Sequence, residues 1–582
     1  MPLLPLTTSY WPADPSRVLL ETTIGGVLRT AAARAPDQVA LIAGAADPAL
    51  RRQWTYAGLL AEAERAGRAL LARFAPGERV AVWAGNRPDW VLLEFAAGLA
   101  GLTLVTVNPA YQAEELAHVL GHSGARGLFL ADEYRGSLLP AILAQVRDRL
   151  PGLRDVIPFG EWDAFCASGD GERLPEVDPA SPAQILYTSG TTGRPKAAVL
   201  THRGLTNNAR LAADAIGMRA GDLLVNPMPL FHVAGGGLLT LGPVQTLGTQ
   251  VLPPGFDPAL LLELIETYHS PVIGGVPTML TALLAHPSRA DRDLSCLRYA
   301  LCGGATAPPE LVRQVEAAFG VPFVLTFAQT ESSCSITVTR VSDSAADRAE
   351  TLGRPLPQTE VKIVDVATGA TVPCGTVGEI CTRGYLVMDG YLGDPQATAA
   401  AIDPDGWLHT GDLGSMDERG YCRIAGRIKE MIIRGGENIY PREIEAVLMS
   451  HPGVAEAAVV GVADRFWGEE VGAVIRRAAG TPAAGTPAAG TPAAGTPAAG
   501  IPAAGTPAAG GPGPGTAGPG TAGTGAPTEA ELAEYCQDRL AAYKTPTRWL
   551  FTDSFPLTAT GKIRKDVLSE RLTLLDIQLR LA

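Results

Sequence analysis

The chain alternates between segments with helical apolar spacing and short apolar segments that end in glycine or proline. Apolar residues recur at helical spacing over residues 54–75, and the strand-like stretch RVAVWAG follows at 79–85. A second helix-like stretch then leads into GLTLVTVNPAY. This alternation is typical of α/β layers with parallel strands. Similar strand candidates, each containing glycine at its end, lie at residues 184–190, 271–277 and 299–305. Ligands of such sheets bind at the carboxyl ends of the strands.

From about residue 352 the pattern changes to short strands separated by turn residues, which predicts a small antiparallel β unit. After Arg427 a strand, a loop, a helix and a strand follow, as in a small α+β lid. The sequence therefore predicts an α/β protein with layered, mostly parallel sheets and helices. We place a large N-terminal domain at residues 1–427 and a small, mobile C-terminal domain at 428–582.

Residues 478–527 form a low-complexity tract inside the predicted C-terminal domain. Residues 480–509 consist of five GTPAA pentads and one GIPAA pentad. The tract has almost no large apolar or charged side chains, so burial cannot offset its ordering entropy. Glycine recurs every fifth residue rather than every third, which excludes a collagen helix. We expect a disordered insertion, after which helical spacing resumes in ELAEYCQDRLAAYKTP.

Charge and cysteine content narrow the function classes. The net charge of −13 excludes a nucleic-acid binder that relies on a broad basic surface. The eight cysteines include no CxxC pair, so we expect reduced thiols in a cytoplasmic protein. The first residues lack a secretory signal pattern, and no apolar run predicts an integral membrane segment. The sequence makes no prediction of oligomeric state.

The sequence YTSGTTGRPK at residues 187–196 has the composition of an anion-binding loop. Its two glycines allow the backbone to approach an anion closely, and successive amides in such a turn form an anion nest. It is not a Walker A motif, because the GxxxxGK[ST] spacing is absent. Taken alone, it is equally compatible with a flexible surface loop. The candidate phosphate contacts are Thr188, Ser189, Gly190, Thr191, Thr192, Gly193 and Lys196.

TSGTTGRPK resembles the phosphate loop of the adenylate-forming superfamily, which includes acyl-CoA synthetases, luciferases and peptide-synthetase adenylation domains. The stretches GWLHTGDLG, GRIKEMIIRGGENIYPREIE and PLTATGKIRK resemble later motifs of that family, in the same order. LVTVNPAYQAEELAHVL resembles the acyl-CoA synthetase, or fatty-acid–CoA ligase, branch. The resemblance implies an enzyme that uses ATP and Mg²⁺ to convert a carboxylic acid to an acyl-adenylate. It then transfers the acyl group to coenzyme A.

The resemblance also implies roles for a motif that reads FAQTE here. Glu331 would bind Mg²⁺, with Thr188 as a second metal candidate, and Thr330 would contact the α-phosphate. Where the family usually has Tyr-Gly, this sequence has Phe327 and Ala328. An aromatic face for adenine is kept, but the hydroxyl is lost. Phe327, Ala328 and Gln329 are all assigned to the nucleotide site.

Other nucleotide contacts follow from the same resemblance. The CGGA stretch, with Gly303, Gly304 and Ala305, resembles the adenine-side loop. Asp412 would accept both ribose hydroxyls, and Arg427 would contact the ribose or a phosphate. For the CGGA stretch a plain strand-to-helix turn is the alternative, and for Asp412 an ordinary turn residue.

Four further assignments concern the reacting groups. Lys562 matches the catalytic lysine, whose ammonium contacts the carboxylate and the α-phosphate as they react. Lys429 matches the hinge at which the small domain rotates between the two half-reactions. His232 matches a position beside the acyl site, with a satisfied core histidine as the alternative. The loop with Gly435, Gly436 and Glu437 would line the pantetheine tunnel.

The acyl substrate is less determined. Glycines in PLFHVAGGG and GGVPTM are expected to leave pocket volume, and no charged residue stands out to pair with a second substrate charge. An apolar acid follows: a medium- or long-chain fatty acid first, an aryl or alicyclic acid next. The acceptor alternatives are a carrier-protein thiol in trans or an amine. A non-catalytic ATP-binding scaffold, with the repeat tract as interaction arm, is the alternative from another class.

Overall fold

The computed structural model describes residues 5–169, 172–188, 195–305, 307–435, 437–478, 527–557 and 563–581. These residues form two compact units, and the chain passes from the first to the second between Lys429 and Glu430. None of the helices within the described ranges is long and apolar enough to cross a membrane.

The strands of the first unit fall into separate sheets. In chain order they are β1 Tyr10–Trp11, β2 Val39–Ala43, β3 Gln53–Thr55, β4 Arg79–Trp83, β5 Thr103–Val107, β6 Gly127–Leu130, β7 Glu133–Tyr134, β8 Ser137–Leu138, β9 Asp155–Pro158, β10 Pro182–Thr188, β11 Lys196–Thr201, β12 Leu223–Val225, β13 Thr249–Leu252, β14 Val272–Gly275, β15 Tyr299–Gly303, β16 Phe323–Gln329, β17 Cys334–Val338, β18 Arg354–Pro355, β19 Thr359–Val364, β20 Gly378–Gly384, β21 Gly390–Tyr391, β22 Leu408–Met416 and β23 Cys422–Arg427.

Helices of the first unit connect these strands. Thr55 and Thr201 cap the amino ends of α2 and α7 with their side-chain oxygens, as small hydroxyl residues commonly do. The helices are α1 Ile24–Arg34, α2 Tyr56–Leu71, α3 Pro88–Ala100, α4 Ala113–Ser123, α5 Leu139–Ala144, α6 Trp162–Cys166, α7 His202–Ile216, α8 Leu239–Gln245, α9 Pro258–Tyr268, α10 Pro277–Ala285, α11 Pro309–Phe319, α12 Ala345–Glu350 and α13 Pro395–Ala401.

Three of the sheets have a parallel core with antiparallel strands at an edge. The seven-stranded sheet has the order β21-β11-β10-β5-β4-β6-β9. Its strand β11 runs antiparallel to both neighbours, β10 and β21. A five-stranded sheet, β14-β15-β16-β17-β18, is parallel from β14 to β16. A four-stranded sheet has the order β12-β13-β2-β3. The predicted α/β class is confirmed, and buried aliphatic and aromatic residues fill the space between these layers.

The remaining five-stranded sheet, β1-β19-β20-β22-β23, is antiparallel throughout. It corresponds to the antiparallel unit that the turn-rich sequence after residue 352 predicts. Its strand β1 comes from the beginning of the chain, which the sequence pattern did not reveal. This sheet carries the GWLHTGDLG motif on β22.

The second unit is a small α+β fold. Its elements are β24 Ile432–Arg434, β25 Glu437–Ile439, α14 Pro441–Met449, β26 Val454–Asp464, β27 Gly468–Arg477, α15 Glu529–Gln537, β28 Arg548–Phe551 and α16 Lys565–Leu581. Strands β26 and β27 form a long antiparallel pair, and β28 adds to β27 in parallel.

Both ends of the low-complexity tract are held at one place on this unit. The Ala478 amide donates to the Gly453 carbonyl at 3.0 Å. On the other side of the tract, the Pro527 carbonyl accepts a hydrogen bond from the Arg477 guanidinium at 3.4 Å. Pro527 also packs so closely on Gly453 that a Cβ there would lie 2.9 Å from the proline ring. Residues 479–526, and with them the predicted disordered insertion, lie outside the described residues.

Candidate active site

The two ends of the glycine-rich loop stand opposite each other. Thr188 ends β10 and pairs directly with Lys196, the first residue of β11. The Thr188 hydroxyl donates to the Lys196 carbonyl at 3.4 Å. Because β10 runs parallel to β5, the loop leaves the sheet at a carboxyl edge, as predicted. The predicted contacts between these two ends lie outside the described residues: Ser189, Gly190, Thr191, Thr192 and Gly193.

Lys196 is connected to Glu331 through a tyrosine that the sequence analysis did not select. The Lys196 ammonium lies 4.8 Å from the centre of the Tyr391 ring. The Tyr391 hydroxyl donates to Glu331 Oε1 at 2.8 Å. Burial and the neighbouring Glu331 carboxylate raise the pKa of Tyr391, so the phenol stays a neutral donor. The end of the glycine-rich loop and the FAQTE motif therefore meet at one side chain.

The same FAQTE motif reaches the HTGD motif through Gln329. The Gln329 amide donates to Asp412 Oδ2 at 2.7 Å and to the Thr410 carbonyl at 2.9 Å. Asp412 is only 2% exposed, and its Oδ1 lies 2.8 Å from Arg427 Nε. Asp412 and Arg427 are also direct partners across β22 and β23. Three predicted nucleotide residues are thus brought together.

Residues outside the predicted set support the turn before Asp412. Gly411 has a left-handed φ of 69°, and its amide donates to Glu379 Oε1 at 2.9 Å. The other Glu379 oxygen lies 2.7 Å from His409 Nδ1. Glu379 thus holds both residues that flank Thr410. These contacts join β20 to β22, so sequence spacing alone gave no signal for Glu379.

The CGGA stretch requires glycine at Gly303 and Gly304 for steric and conformational reasons. A Cβ on Gly303 would lie 2.6 Å from Thr326 Cγ2 on the neighbouring strand β16, and Gly304 has a φ of 77°. Ala305 follows and is half-buried. On β16, Phe327 is half-buried and packs on an apolar cluster of the first unit. Ala328 packs on the other large cluster.

The prediction that the glycines near His232 leave pocket volume is wrong, because backbone carbonyl oxygens occupy the space beside two of them. A Cβ on Gly235 would lie 2.2 Å from the Pro229 carbonyl oxygen, and one on Gly236 would lie 2.7 Å from the Leu230 carbonyl oxygen. Glycine is needed there because the chain turns back on itself in a π-helical turn, Val233–Leu238. Gly275 likewise faces Met279 rather than open space.

His232 lies at the start of this turn. Its ring lies 4.8 Å from that of Phe231, centre to centre, and its carbonyl accepts from the Gly235 and Gly236 amides. The Thr106 hydroxyl, from β5, donates to the Phe231 carbonyl at 3.0 Å. These contacts place His232, which is half-buried, beside β5 of the seven-stranded sheet.

The remaining assignments follow Arg427 in the sequence. Lys429 lies in a 3₁₀ turn, Ile428–Glu430, at the point where the chain changes units. Gly435 has a φ of 59°, and a Cβ there would lie 2.7 Å from the Trp467 ring. Glu437 pairs with Arg434 across β24 and β25. Gly436 and Lys562 lie outside the described residues.

Lys565, three residues after Lys562 in the sequence, has a structural role in the second unit. Its ammonium pairs with Glu445 at 2.7 Å and Glu430 at 3.0 Å. Burial alone would lower the pKa of Lys565, but the two carboxylates outweigh it and raise the pKa. Lys565 is therefore a charged group fixed inside the second unit.

Comparison with known proteins shows the family to which the chain is similar. Residues 28–392 match the family model described as AMP-binding enzyme, and residues 443–490 match the AMP-binding enzyme C-terminal domain. The putative acyl-CoA synthetase YngI of Bacillus subtilis is 36% identical over 95% of this chain and 97% of its own length. The rat mitochondrial medium-chain acyl-CoA ligase ACSF2 is 33% identical over 97% of this chain and 90% of its own length.

Among solved structures, ATP-bound MatB from Rhodopseudomonas palustris is similar. It is 26% identical and superposes with a TM-score of 0.80, over 95% of this chain and 99% of that chain.

Proposed function

This chain belongs to the AMP-binding enzyme family, and we propose that it is an AMP-forming acid–thiol ligase whose nucleotide site is the cluster described above. The carboxylate of the substrate attacks the α-phosphate of ATP, which forms an acyl-adenylate and releases pyrophosphate. The thiol of coenzyme A then attacks the acyl carbon, which forms the thioester and releases AMP. The relatives named as acyl-CoA synthetase and medium-chain acyl-CoA ligase support this reaction.

The observation that carries the proposal is the double connection of residues 329–331. Through Gln329 this segment contacts the buried carboxylate of Asp412. Through Glu331 it contacts Tyr391, whose ring faces Lys196 at the end of the glycine-rich loop. A nucleotide needs a carboxylate for its ribose and a cationic, amide-rich cradle for its phosphates. Gln329 and Glu331 are two residues apart, so one short segment contacts the residues assigned to both needs.

Residue roles follow from this placement. Asp412 accepts hydrogen bonds from the ribose hydroxyls, and a carboxylate can accept about four. Arg427, on the same carboxylate, contacts the ribose or a phosphate. Thr330 lies between the two connections and meets the α-phosphate. Lys196 neutralises charge on the leaving phosphates, which is the main need when two anions must meet.

The Glu331 carboxylate fits a magnesium ligand. It is a hard oxygen donor, it is half-buried, and Tyr391 orients one of its oxygens. Magnesium is usually held by one or two carboxylates together with phosphate oxygens, and when bound it neutralises phosphate charge. Thr188, at the start of the loop, is the second candidate ligand. Lys562 is the proposed contact for the reacting carboxylate and the α-phosphate.

The second half-reaction is assigned to a rotation of residues 428–582 about Lys429. The change of structural unit next to Lys429 supports this assignment. The turn at Gly435, with Gly436 and Glu437, is the proposed wall of the pantetheine tunnel. The three residues of the turn Ile428–Glu430, which contains Lys429, can absorb the backbone rotation that such a movement needs.

We propose a medium-chain fatty acid as the substrate, because the ACSF2 relatives act on medium-chain acyl groups by name. A cytoplasmic location is proposed on the cysteines: all eight are free thiols, and most are buried.

The test is pyrophosphate release across a panel of straight-chain acids from two to eighteen carbons, with aryl and alicyclic acids beside them. Products formed with coenzyme A are identified by mass spectrometry. We expect acid-dependent pyrophosphate release that peaks at medium chains, together with the matching acyl-CoA. Asp412→Asn is expected to raise the KM for ATP without changing the preferred acid. Release that does not depend on any acid would contradict the ligase function.

A further inference from the structure

The Tyr391 side chain touches both halves of the proposed phosphate site. Its hydroxyl donates to Glu331 Oε1 at 2.8 Å, and its ring lies 4.8 Å under the Lys196 ammonium. The Lys196 ammonium thus faces the ring, and the Glu331 carboxylate faces the hydroxyl. The tyrosine therefore stands between a cation and an anion that would otherwise attract each other.

The position of the phenol is set by backbone contacts on both sides. Strand β21 pairs with β11, with Tyr391 opposite Ala198. The Tyr391 amide donates to the Thr398 hydroxyl at 2.9 Å. Gly390 has a φ of 147° and lies against the same threonine, so that a Cβ there would be 2.7 Å from Thr398 Cγ2. The ring is thus carried by a strand that cannot shift without breaking the sheet edge.

The same short segment also holds the backbone of Glu331. The Met388 amide donates to the Glu331 carbonyl at 2.9 Å. Leu392, on the other side of Tyr391, donates its amide to the Ala197 carbonyl at 2.8 Å. Residues 388–392 therefore fix Glu331 at its carbonyl and at its carboxylate, while they remain attached to the strand that begins with Lys196.

The Tyr391 phenol occupies one oxygen of the Glu331 carboxylate. The other oxygen is then left to bind a cation as a monodentate ligand. Partners in the outer shell of a metal site set the orientation of the ligand in this way, and their loss commonly costs about 10- to 100-fold in metal affinity. The ring face meanwhile attracts the Lys196 ammonium and keeps it off the carboxylate. Both charges stay available for a metal–nucleotide complex.

We propose that Tyr391 is a positioning residue for the metal–triphosphate complex: it orients Glu331 toward the divalent cation and holds Lys196 apart for the phosphates. This inference rests on the proposed function and deepens it. Tyr391 touches no reacting atom, so its effect passes through Glu331 and Lys196.

The test uses two substitutions in the full-length protein. Tyr391→Phe keeps the ring under Lys196 but removes the hydroxyl from Glu331, whereas Tyr391→Leu removes both. Mn²⁺ affinity is measured by electron paramagnetic resonance in the presence of α,β-methylene-ATP. Nucleotide affinity without metal is measured by calorimetry. We expect Tyr391→Phe to weaken Mn²⁺ binding by about tenfold or more with metal-free nucleotide affinity unchanged. Tyr391→Leu should weaken both.

The chain offers a matched control at Tyr421. Its hydroxyl donates to Asp343 Oδ1 at 2.8 Å, and Arg354 lies 5.1 Å from its ring centre, so the same pair of contacts exists away from the nucleotide residues. Tyr421→Phe should leave Mn²⁺ affinity unchanged. In a Glu331→Gln background, Tyr391→Phe should cause no further loss of Mn²⁺ affinity.

Mn²⁺ affinity in Tyr391→Phe within twofold of wild type would overturn the role of Tyr391. A full further loss in the Glu331→Gln background would overturn it as well, because the hydroxyl would then act elsewhere. Pyrophosphate release by the wild-type protein tests the ligase function separately. Its absence across the acid panel would refute that function, whereas release combined with unchanged Mn²⁺ affinity would refute only the inference about Tyr391.

Discussion

Replacing residues 479–526 by six glycine and serine residues should stabilise the second unit. The tract has 48 residues, and the sequence predicts that it is unstructured. Its flanks, Ala478 and Pro527, both lie against Gly453, so six residues, which reach about 20 Å when extended, can join them. Shortening the loop eightfold amounts to three halvings of its length. Each halving lowers the entropic free-energy cost of closing the loop by about 0.6 kcal/mol. The free energy needed to open the second unit should therefore rise by about 1.8 kcal/mol.

The assay is hydrogen exchange in peptides from β26 and β27, the central pair of that unit. A gain of about 1.8 kcal/mol slows exchange through unit opening by about 20-fold. A control protein that carries a 48-residue glycine–serine tract of the same length should exchange like wild type. Both half-reactions should keep nearly their full rate. Faster exchange, or a large loss of thioester formation, would refute the reasoning and show that the tract makes specific contacts.

Four further predictions concern single residues. Lys562→Ala should abolish adenylation yet spare thioester formation from supplied acyl-AMP. Lys565→Ala should instead lower the melting temperature of the protein, because it removes the ion-pair partner of Glu445. Wild-type adenylation in Lys562→Ala would contradict the assignment. Lys429→Pro should impair thioester formation more than adenylation in single-turnover assays, and equal losses would count against a hinge. Burial raises the pKa of Glu94 to about 8 from 4.5. Between these values the unfolded state loses its proton first, so stability falls with rising pH by about 1.4 kcal/mol per unit. Glu94→Gln should flatten that slope in urea unfolding between pH 5.5 and 7.5, and an unchanged slope would contradict it.

The sequence predicted the elements well where local patterns are strong. The helical spacing of residues 54–75 became α2, Tyr56–Leu71, and the strand at 184–190 became β10, Pro182–Thr188. The motif residues Gln329, Asp412 and Arg427 were all selected, because each belongs to a motif that resembles a known family. Their mutual contacts were not predicted, since they join segments that are about eighty residues apart.

The supporting residues were missed for a physical reason. Tyr391 lies on a two-residue strand, Gly390–Tyr391, too short to show any periodicity, and its partner β11 begins almost two hundred residues earlier. Glu379 is similarly visible only once β20 pairs with β22. The glycines beside His232 were noticed, but glycine in a sequence does not reveal whether a ligand or a carbonyl occupies the space. In this chain the carbonyls of Pro229 and Leu230 do.

In the proposed nucleotide site, the turn at residues 329–331 joins the residues assigned to the sugar end with those assigned to the phosphate end. Gln329 donates to Asp412, and Glu331 accepts from Tyr391. A ligand that tightens one contact therefore restrains the other, and thermodynamic linkage makes such an effect equal in both directions. In the proposed site, any effect of a bound divalent cation on nucleoside affinity therefore equals the effect of the nucleoside on cation affinity.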